Sequence, residues 1–342
     1  MMLLRAATEA DLMDIHTLAL NSGVGLTTLP KDKSVLKKRL ARAVRTFNPL
    51  SPIPLEAYYL FVLEDTSTKR IIGTSAIEGK SGGNLPFYTY KVTSHHKACK
   101  KLNIQQNHTL LSLSNETEGL SELCTLFLSP DYRKDNNGLL LSKARFLFIA
   151  NDPSRFTNRL IAEIRGVSDE KGSAPFWDAV GYHFFKCSFT EAVALSTSSN
   201  KQHIINLMPE FPIYTSLLPD IAQQVIGKPH PSSQAAMDIL TDEGFKYNYF
   251  VDLFDAGPTV EVIRDKIHTL KSSRKANIIT TSNALPTETP RLLVSNTGLN
   301  FRACLTQAYF NENEHTCLIH ERDATHLLLK IGDNARVAPL GH

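Results

Sequence analysis

The pattern of apolar and polar positions predicts alternating strands and helices over the first part of the chain. Runs rich in branched and aromatic residues predict strands at 58–64, 70–78, 122–128 and 160–167. Apolar residues at helical spacing predict helices at 35–47, 138–150 and 175–180. The helix at 138–150 is apolar on most sides, so we expect it to be buried. Such alternation is typical of an α/β (α+β) fold.

The remaining segments suggest how the chain is divided. Residues 79–118 are polar and irregular, with one strand expected around 88–92, whereas residues 200–255 repeat a helix-then-strand pattern. A stretch rich in Ser, Thr, Asn and Pro precedes several short strands at the end of the chain. We therefore predict four parts: a first domain at 1–195, a second α/β portion at 196–270, a linker at 271–290 and a small β module at 291–342.

Composition and charge narrow the functional class. The chain has 342 residues, 42% of them hydrophobic and 21% charged, which is enough for a packed core. A net charge of +3 is too small to indicate a nucleic acid or an anionic membrane as partner. No apolar run has membrane-spanning length, and Arg5, Glu9 and Asp11 interrupt any signal-peptide pattern.

The cysteines and histidines give no sign of a metal site. The five cysteines are scattered and form no CxxC pair, and the twelve histidines show no ligand spacing. We therefore expect no metal, reduced thiols and a cytoplasmic location. Cys124 lies in an apolar run and is expected to be a buried structural residue.

The segment from 123 to 138 has the form of a phosphate-binding loop. A strand ends, a polar turn follows, and an apolar helix begins. Backbone N–H groups at such a helix start can point at one anion, and the helix dipole favours negative charge there. Arg133 and Lys134 add positive charge, so a pyrophosphate is the expected guest. A plain strand–turn–helix connection would also explain the pattern.

The order Arg133-x-x-Asn136-x-Gly138 resembles the R/Q-x-x-G-x-G/A signature of GNAT acyltransferases. Asn136 replaces the first glycine of the signature, and asparagine is the next-best residue for a left-handed backbone. The chain start, the hairpin at 58–78 and the segment at 174–182 also resemble family features, in the correct order. The resemblance implies a GNAT-like mixed sheet flanked by helices, with an acyl-CoA-binding domain at 1–195.

The pattern of the segment at 174–182 recurs at 236–245. One interpretation is a degenerate second GNAT-like half of the chain. The alternative is that a helix, a glycine, an aromatic residue and a strand simply form a common sequence pattern.

Longer strings resemble one family, the bacterial arginine N-succinyltransferases. They are GLTTLP at 25–30, SELCTLFL at 121–128, GLLLSKARF at 138–146, AEIRGV at 162–167, PFW at 175–177, VIGKPHP at 225–231 and FDAGP at 254–258. The resemblance weakens at 80–118 and after about residue 265. It implies transfer of the succinyl group of succinyl-CoA to the α-amino group of L-arginine, the first step of arginine breakdown to glutamate and succinate.

The same resemblance implies two site residues. Leu126 corresponds to the family's succinyl-CoA contact, where a strand edge would pair its backbone with the pantetheine amides. His230 corresponds to the catalytic acid/base. It lies just before an expected helix start near residue 232, where the helix dipole favours a neutral imidazole and hence a base. A loop histidine is otherwise more often an ordinary surface residue.

Charged residues on two strands are candidates for substrate binding. Glu122, Cys124 and Leu126 share one strand face, and Glu163 and Arg165 share a face on the next strand. We expect Glu122 or Glu163 to face the amine or guanidinium of arginine, and Arg165 to hold a carboxylate. An internal ion pair among these residues is the alternative.

Two other functions stay open. The chain could be another GNAT-class N-acyltransferase, using acetyl-CoA or a different amine, or a non-catalytic acyl-CoA-binding subunit of a hetero-oligomer. We expect either a homodimer or a hetero-oligomer with a paralogue.

Overall fold

The computed structural model describes residues 1–50, 56–83, 86–169, 171–198 and 206–341. Residues 199–205 of the expected second portion, and His342, lie outside this range. The strands of the N-terminal part are β1 Met2–Ala6, β2 Tyr58–Asp65, β3 Arg70–Glu78, β4 Thr89–Cys99, β5 Ile104–Ser114, β6 Ser121–Leu128 and β7 Arg159–Glu163. The later strands are β8 Ile213–Tyr214, β9 Lys246–Val251, β10 Pro258–Ile263, β11 Arg274–Thr281, β12 Arg291–Asn296, β13 Arg302–Asn311, β14 Thr316–His320 and β15 Asn334–Pro339.

The helices flank these strands. They are α1 Leu12–Asn21, α2 Lys33–Thr46, α3 Asn137–Asn151, α4 Pro175–Ala179, α5 Gly181–Phe185, α6 Phe189–Ser198, α7 Asp220–Val225, α8 Gln234–Asp242, α9 His268–Ser272 and α10 Glu321–Leu327. The hairpin expected at 58–78 and the buried helix expected at 138–150 are both confirmed by β2, β3 and α3.

One mixed sheet runs through the molecule in the order β12-β15-β11-β14-β13-β1-β2-β3-β6-β7-β10-β9-β4-β5-β8. Helix α3 packs on one face, where its Phe146 and Phe148 join Tyr59 and Phe61 in an aromatic core. Helices α1 and α2 cover the other face, with Ile15 and Leu40 fully buried. Both faces of the central strands are therefore apolar, which is typical of a sheet covered on two sides.

Strands β6 and β7 separate soon after they begin. They pair in parallel only at Ser121↔Leu160 and Glu122↔Ile161, so the rest of β6 has no neighbour on that side. On the other side, the register of β6 with β3 shifts around Thr125, whose φ is +56°. This bulge bends β6 away from β7 and opens a wedge in the middle of the sheet.

The segment at 79–118 is more regular than the sequence indicated. Strands β4 and β5 form a hairpin paired from Thr89↔Ser114 to Cys99↔Ile104. The half of the hairpin next to its turn is largely exposed on both strands. Because neither face of that half packs on a core, its residues do not alternate between apolar and polar.

In the described part of the second α/β portion, the strands join the main sheet rather than a sheet of their own. Strand β10 pairs with β7 and β9 pairs with β10, so both extend the sheet that contains β6. Helix α8 precedes β9, with Gly244 and Phe245 between them. The helix and turn of the recurrence at 236–245 thus lead into a strand of the same sheet. Helices α4, α5 and α6 lie in the long connection between β7 and β8.

The C-terminal strands close into a small barrel. In addition to the sheet order, β12 pairs with β13, which completes a ring of β11, β14, β13, β12 and β15. The structure differs here from the expected linker at 271–290, because residues 274–281 form β11. Ala276 and Ile278 of this strand are buried while the polar residues Arg274, Lys275 and Asn277 are exposed, so its polar composition concealed a strand.

Candidate active site

Two adjoining spaces lie where β6 and β7 separate. An outer groove of about 510 Å³ runs from the loop before α3 along β6 to α8. An inner cavity of about 110 Å³ lies between β6, β7, α3 and the loop after β9. The residues that line both spaces are Leu26, Leu126, Arg165, Ser233 and Ala236. A ligand in the groove can therefore meet a ligand in the cavity at this junction.

The loop before α3 has the geometry that its sequence indicated. Asn136 has a φ of +67° and precedes the first helical residue, which confirms the expected left-handed backbone. Arg133, Lys134 and Asn136 are exposed, and together with Gly138 they line the outer groove. The Nε atom of Arg133 donates to the carbonyl of Leu128 at 3.1 Å, which holds its guanidinium near the end of β6. Exposed cations and the first N–H groups of a helix suit a phosphate group.

The bulge in β6 is held by side chains from several elements. The N–H of Thr125 donates to Thr28 Oγ1 at 3.0 Å, and its carbonyl accepts from Thr74 Oγ1 at 3.0 Å. Tyr58 Oη lies 2.9 Å from Thr125 Oγ1. Leu126 follows the bulge and has no register partner in β3 or β7. Its backbone therefore borders the outer groove beside a strand edge that an extended ligand can pair with.

The inner cavity carries both signs of charge. Its acidic lining residues are Glu122, Glu163, Asp252 and Asp255, and its basic ones are Arg145 and Arg165. The structure thus brings the three expected substrate-binding residues, Glu122, Glu163 and Arg165, into one cavity. Cys124 lies beside them, and burial raises the pKa of its thiol to about 12, so it stays neutral. The small cavity is therefore suited to a zwitterionic or cationic ligand rather than an apolar one.

Arg165 lies at the junction of the groove and the cavity. Its Nη2 donates to Ser168 Oγ at 3.0 Å, whereas its buried Nε has no hydrogen-bond partner. The side chain packs against the turn at Gly25, where an added Cβ would lie 3.2 Å from Nε. Burial lowers the pKa of Arg165, and the nearby Asp255 carboxylate opposes that effect. A bound carboxylate would supply the missing acceptor.

Asp255 ties the end of β7 to the loop after β9. Its two carboxylate oxygens accept from the N–H groups of Gly166 and Gly257, each at 2.8 Å. Burial, followed by the neighbouring Asp252, raises the pKa of Asp255 to about 8. The Oδ1 atom of Asp252 accepts from the N–H of Asp255 at 3.0 Å, which places the two acidic residues side by side in this loop.

His230 lies next to this junction but lines neither space. Its N–H donates to the carbonyl of Arg165 at 2.8 Å, so the segment just after β7 positions it. Burial, followed by the charge of Arg165, lowers the pKa of His230, which favours the neutral ring. Its Nδ1 accepts from the N–H of Ser232 at 3.1 Å and lies 2.7 Å from Ser232 Oγ. The ring proton is therefore on Nε2, and the lone pair points to Ser232 rather than directly into the cavity.

Several residues of the site were not identified as functional from the sequence. They are Arg145, Asp252, Asp255 and the turn at 25–28. Arg145, Asp255 and the turn lie in strings that resemble family members, but single strings did not indicate a shared cavity. Among the described residues, no group of three His, Cys, Asp or Glu side chains has the arrangement of a metal site. No helix in the described ranges has the length and apolarity needed to cross a membrane.

The fold and the site together define a class of protein. A mixed sheet opens between two central strands, a loop with exposed cations begins the helix after the first of them, and a cavity lined by charged residues adjoins the strand edge. This is the architecture of a GNAT-class, acyl-CoA-dependent acyltransferase, as expected from the loop signature.

Comparison with known proteins identifies the family within this class. A family model described as arginine N-succinyltransferase beta subunit matches residues 2–269, and the model of its C-terminal domain matches residues 274–339. Proteins named arginine N-succinyltransferase from Yersinia pestis and Citrobacter koseri are each 40% identical to this chain, covering 99% of it and 98% of their own length. The structure of arginine/ornithine succinyltransferase subunit AI from Pseudomonas aeruginosa is 32% identical, with a TM-score of 0.90, and covers 100% of this chain and 99% of that chain. The chain belongs to the arginine N-succinyltransferase family, which confirms the resemblance drawn from its strings.

Proposed function

We propose that the chain transfers the succinyl group of succinyl-CoA to the α-amino group of L-arginine, as a cytoplasmic enzyme. The observation that carries this proposal is the junction of the outer groove and the inner cavity at Leu126 and Arg165. A thioester bound along the groove would face an amine held in the cavity at this point. The names of the relatives support the choice of substrates.

In this proposal the outer groove holds the coenzyme. Arg133 and Lys134, with the N–H groups around Asn136 and Gly138, bind the pyrophosphate. The pantetheine amides pair with the open edge of β6 at Leu126, and a backbone N–H there stabilises the oxyanion that develops on the thioester carbonyl. The bulge held by Thr28 positions this edge.

The inner cavity holds the amino acid. Glu122 or Glu163 faces the amine or the guanidinium of arginine, and Arg165 binds a carboxylate. Both glutamates have contacts of their own within the protein. Because one of the two carboxylates faces a positive group of arginine, a neutral residue at that position should weaken arginine binding. Equal arginine affinity in Glu122→Gln and Glu163→Gln variants would remove this part of the proposal.

The reaction needs two protons to leave the ammonium nitrogen and one to reach the leaving group. The α-ammonium first loses a proton to solvent, its nitrogen attacks the thioester carbon and loses a second proton as the amide forms, the C–S bond breaks, and the thiolate takes up one proton. His230 does not line the groove, but Ser232 does, and its hydroxyl lies 2.7 Å from His230 Nδ1. We propose that the proton lost as the amide forms reaches Nδ1 through Ser232, and that the same route returns a proton from His230 to the thiolate.

Thiol release from acyl-CoA tests the function directly. Succinyl-CoA and acetyl-CoA are each combined with arginine and with ornithine, and His230→Ala and Ser232→Ala variants are measured in parallel. Fast arginine-dependent release from succinyl-CoA, strongly reduced in His230→Ala, is the expected result. Release only with acetyl-CoA or another amine would favour a different GNAT-class N-acyltransferase.

Binding of CoA without release from any pair would favour a non-catalytic subunit. Repeating the assay after adding a paralogous chain would then show whether a partner restores release. A homodimer or a hetero-oligomer with a paralogue stays a prediction, and sedimentation of the purified chain measures it.

A further inference from the structure

Arg145 is a buried cation in the wall of the inner cavity. It lies on α3 and is only 1% exposed, yet its side chain lines the cavity beside Glu122 and Cys124. The proposed function above gives it no role. A charged side chain at such a depth is costly unless a partner compensates it.

The contacts of Arg145 within the protein are to uncharged oxygens. Nε donates to the carbonyl of Ser142 at 3.1 Å, and Nη2 donates to Ser142 Oγ at 2.9 Å. Nη1 makes a long contact of 3.4 Å to the carbonyl of Ala76. A guanidinium has five N–H donors, so these contacts leave it capacity for another acceptor. None of the ion pairs among the described residues includes Arg145.

The charge of Arg145 nevertheless persists at neutral pH. Burial lowers its pKa to about 10, which still leaves the guanidinium protonated. A thiolate at Cys124 would compensate the charge, but burial raises the pKa of that thiol to about 12 and keeps it neutral. Within the described ranges the guanidinium therefore forms no ion pair, although the carboxyl group of Glu122 lines the same cavity.

Two other buried cations show that this is a particular feature of Arg145. Lys143, two residues earlier on α3, forms an ion pair of 2.9 Å with the buried Glu243. Arg336 is also buried and also bound by uncharged groups, with contacts of 2.7 Å to Asn151 Oδ1 and 2.8 Å to the carbonyl of Ala150. Arg336, however, lies outside the cavity. Arg145 alone among these three combines an unpaired charge with access to the candidate site.

We propose that Arg145 binds a carboxylate of the substrates inside the cavity. This inference rests on the proposed function, in which each substrate brings one carboxylate: the terminal group of the succinyl chain and the α-carboxylate of arginine. A planar guanidinium can bind a carboxylate through two parallel hydrogen bonds. Arg165, at the junction, then binds the other carboxylate, so the cavity has one arginine for each acid group.

Substrates that lack one carboxylate show whether Arg145 binds the succinyl carboxylate or the α-carboxylate of arginine. Butyryl-CoA has the length of succinyl-CoA without its terminal acid, and agmatine is arginine without its α-carboxylate. With succinyl-CoA and arginine, Arg145→Gln should lower kcat/KM by roughly 30-fold or more, as expected for loss of a buried charge pair. The ratio of kcat/KM for succinyl-CoA to kcat/KM for butyryl-CoA should fall strongly if Arg145 binds the acyl group. The ratio of kcat/KM for arginine to kcat/KM for agmatine should fall strongly if Arg145 binds the amino acid.

Arg336→Gln is the matched control, since it removes a buried arginine away from the cavity and should leave both ratios unchanged. If Arg145→Gln does not fold, Arg145→Lys decides, because lysine keeps the charge but loses the bidentate geometry and should shift one ratio partly. Both ratios unchanged in a folded Arg145 variant would overturn the inference. A wild-type chain that does not use arginine at all would instead overturn the proposed function.

Discussion

Gly166 is a position where one methyl group should disturb the candidate site as a whole. An added Cβ there would lie 2.5 Å from the backbone carbonyl oxygen of Asp255 and 2.6 Å from the N–H nitrogen of Gly257. Both are backbone atoms, which cannot rotate away as a flexible side chain would. In a Gly166→Ala variant the end of β7 and the loop after β9 must therefore move apart by about 0.9 Å to reach ordinary contact.

The cost has two parts. Overpacking of this kind typically costs about 1–3 kcal/mol. The separation also breaks the hydrogen bond from the Gly166 N–H to Asp255 Oδ2, at 2.8 Å, which contributes about 1–2 kcal/mol when both groups are buried. We therefore expect Gly166→Ala to lower the free energy of unfolding by about 2–5 kcal/mol. Because Arg165 and His230 are held by the same strand end, kcat/KM for arginine should fall as well.

Urea unfolding followed by tryptophan fluorescence measures this effect. Trp177 is the only tryptophan of the chain, and it stacks on Phe254 of the same loop with ring centroids 5.5 Å apart. Gly138→Ala is a suitable stability control, since nothing lies within 4 Å of an added Cβ there, and it should change the free energy by less than about 1 kcal/mol. A Gly166→Ala variant as stable as wild type would refute the argument that this close approach is required.

Three further predictions concern single contacts. Lys143→Met leaves the fully buried Glu243 without its cation, so urea unfolding should show a loss of about 3–5 kcal/mol; an unchanged midpoint would contradict this. Asn136→Ala should cost about 1 kcal/mol in thermal unfolding because φ is +67°, whereas Asn136→Gly should not, and equal midpoints for the two variants would argue against backbone strain. Arg165→Gln removes a positive charge that lowers the pKa of His230, so the acidic limb of the kcat/KM profile should move to higher pH; a profile that does not move would exclude this coupling.

Local chemistry explains which features could be predicted from the sequence. The left-handed backbone at Asn136 could be predicted because asparagine tolerates that conformation better than most residues. The burial of α3 could be predicted because the helix is apolar on most sides. Strand β11 was missed because most of its exposed positions are polar and only two of its positions, Ala276 and Ile278, are buried. The exposed half of the hairpin of β4 and β5 was missed because it packs on nothing and so has no periodic pattern.

The residues of the site that could be predicted are those that a local sequence pattern groups together. Glu122 and Glu163 lie on two neighbouring strands, and Arg165 lies two residues past the end of β7, so alternation along the sequence was enough to group them even though the second strand is shorter than expected. Asp255 contacts Gly166 across 89 residues of chain, and no local pattern encodes that contact. Arg145 lies within an apolar helix, where sequence periodicity indicates burial but not an opening onto a cavity.

The pairing of β1 also has a consequence for the order of folding. Strand β1 lies between β2 and β13, so Leu3 pairs with Glu64 on one side and with Cys304 on the other. During synthesis β1 can form its second ladder only after Arg302–Asn311, the residues of β13, have left the ribosome. Contacts of such sequence separation slow folding, and until β13 arrives the open edge of β1 can pair with other chains. Premature termination before Arg302 should therefore yield aggregation rather than a smaller soluble acyltransferase.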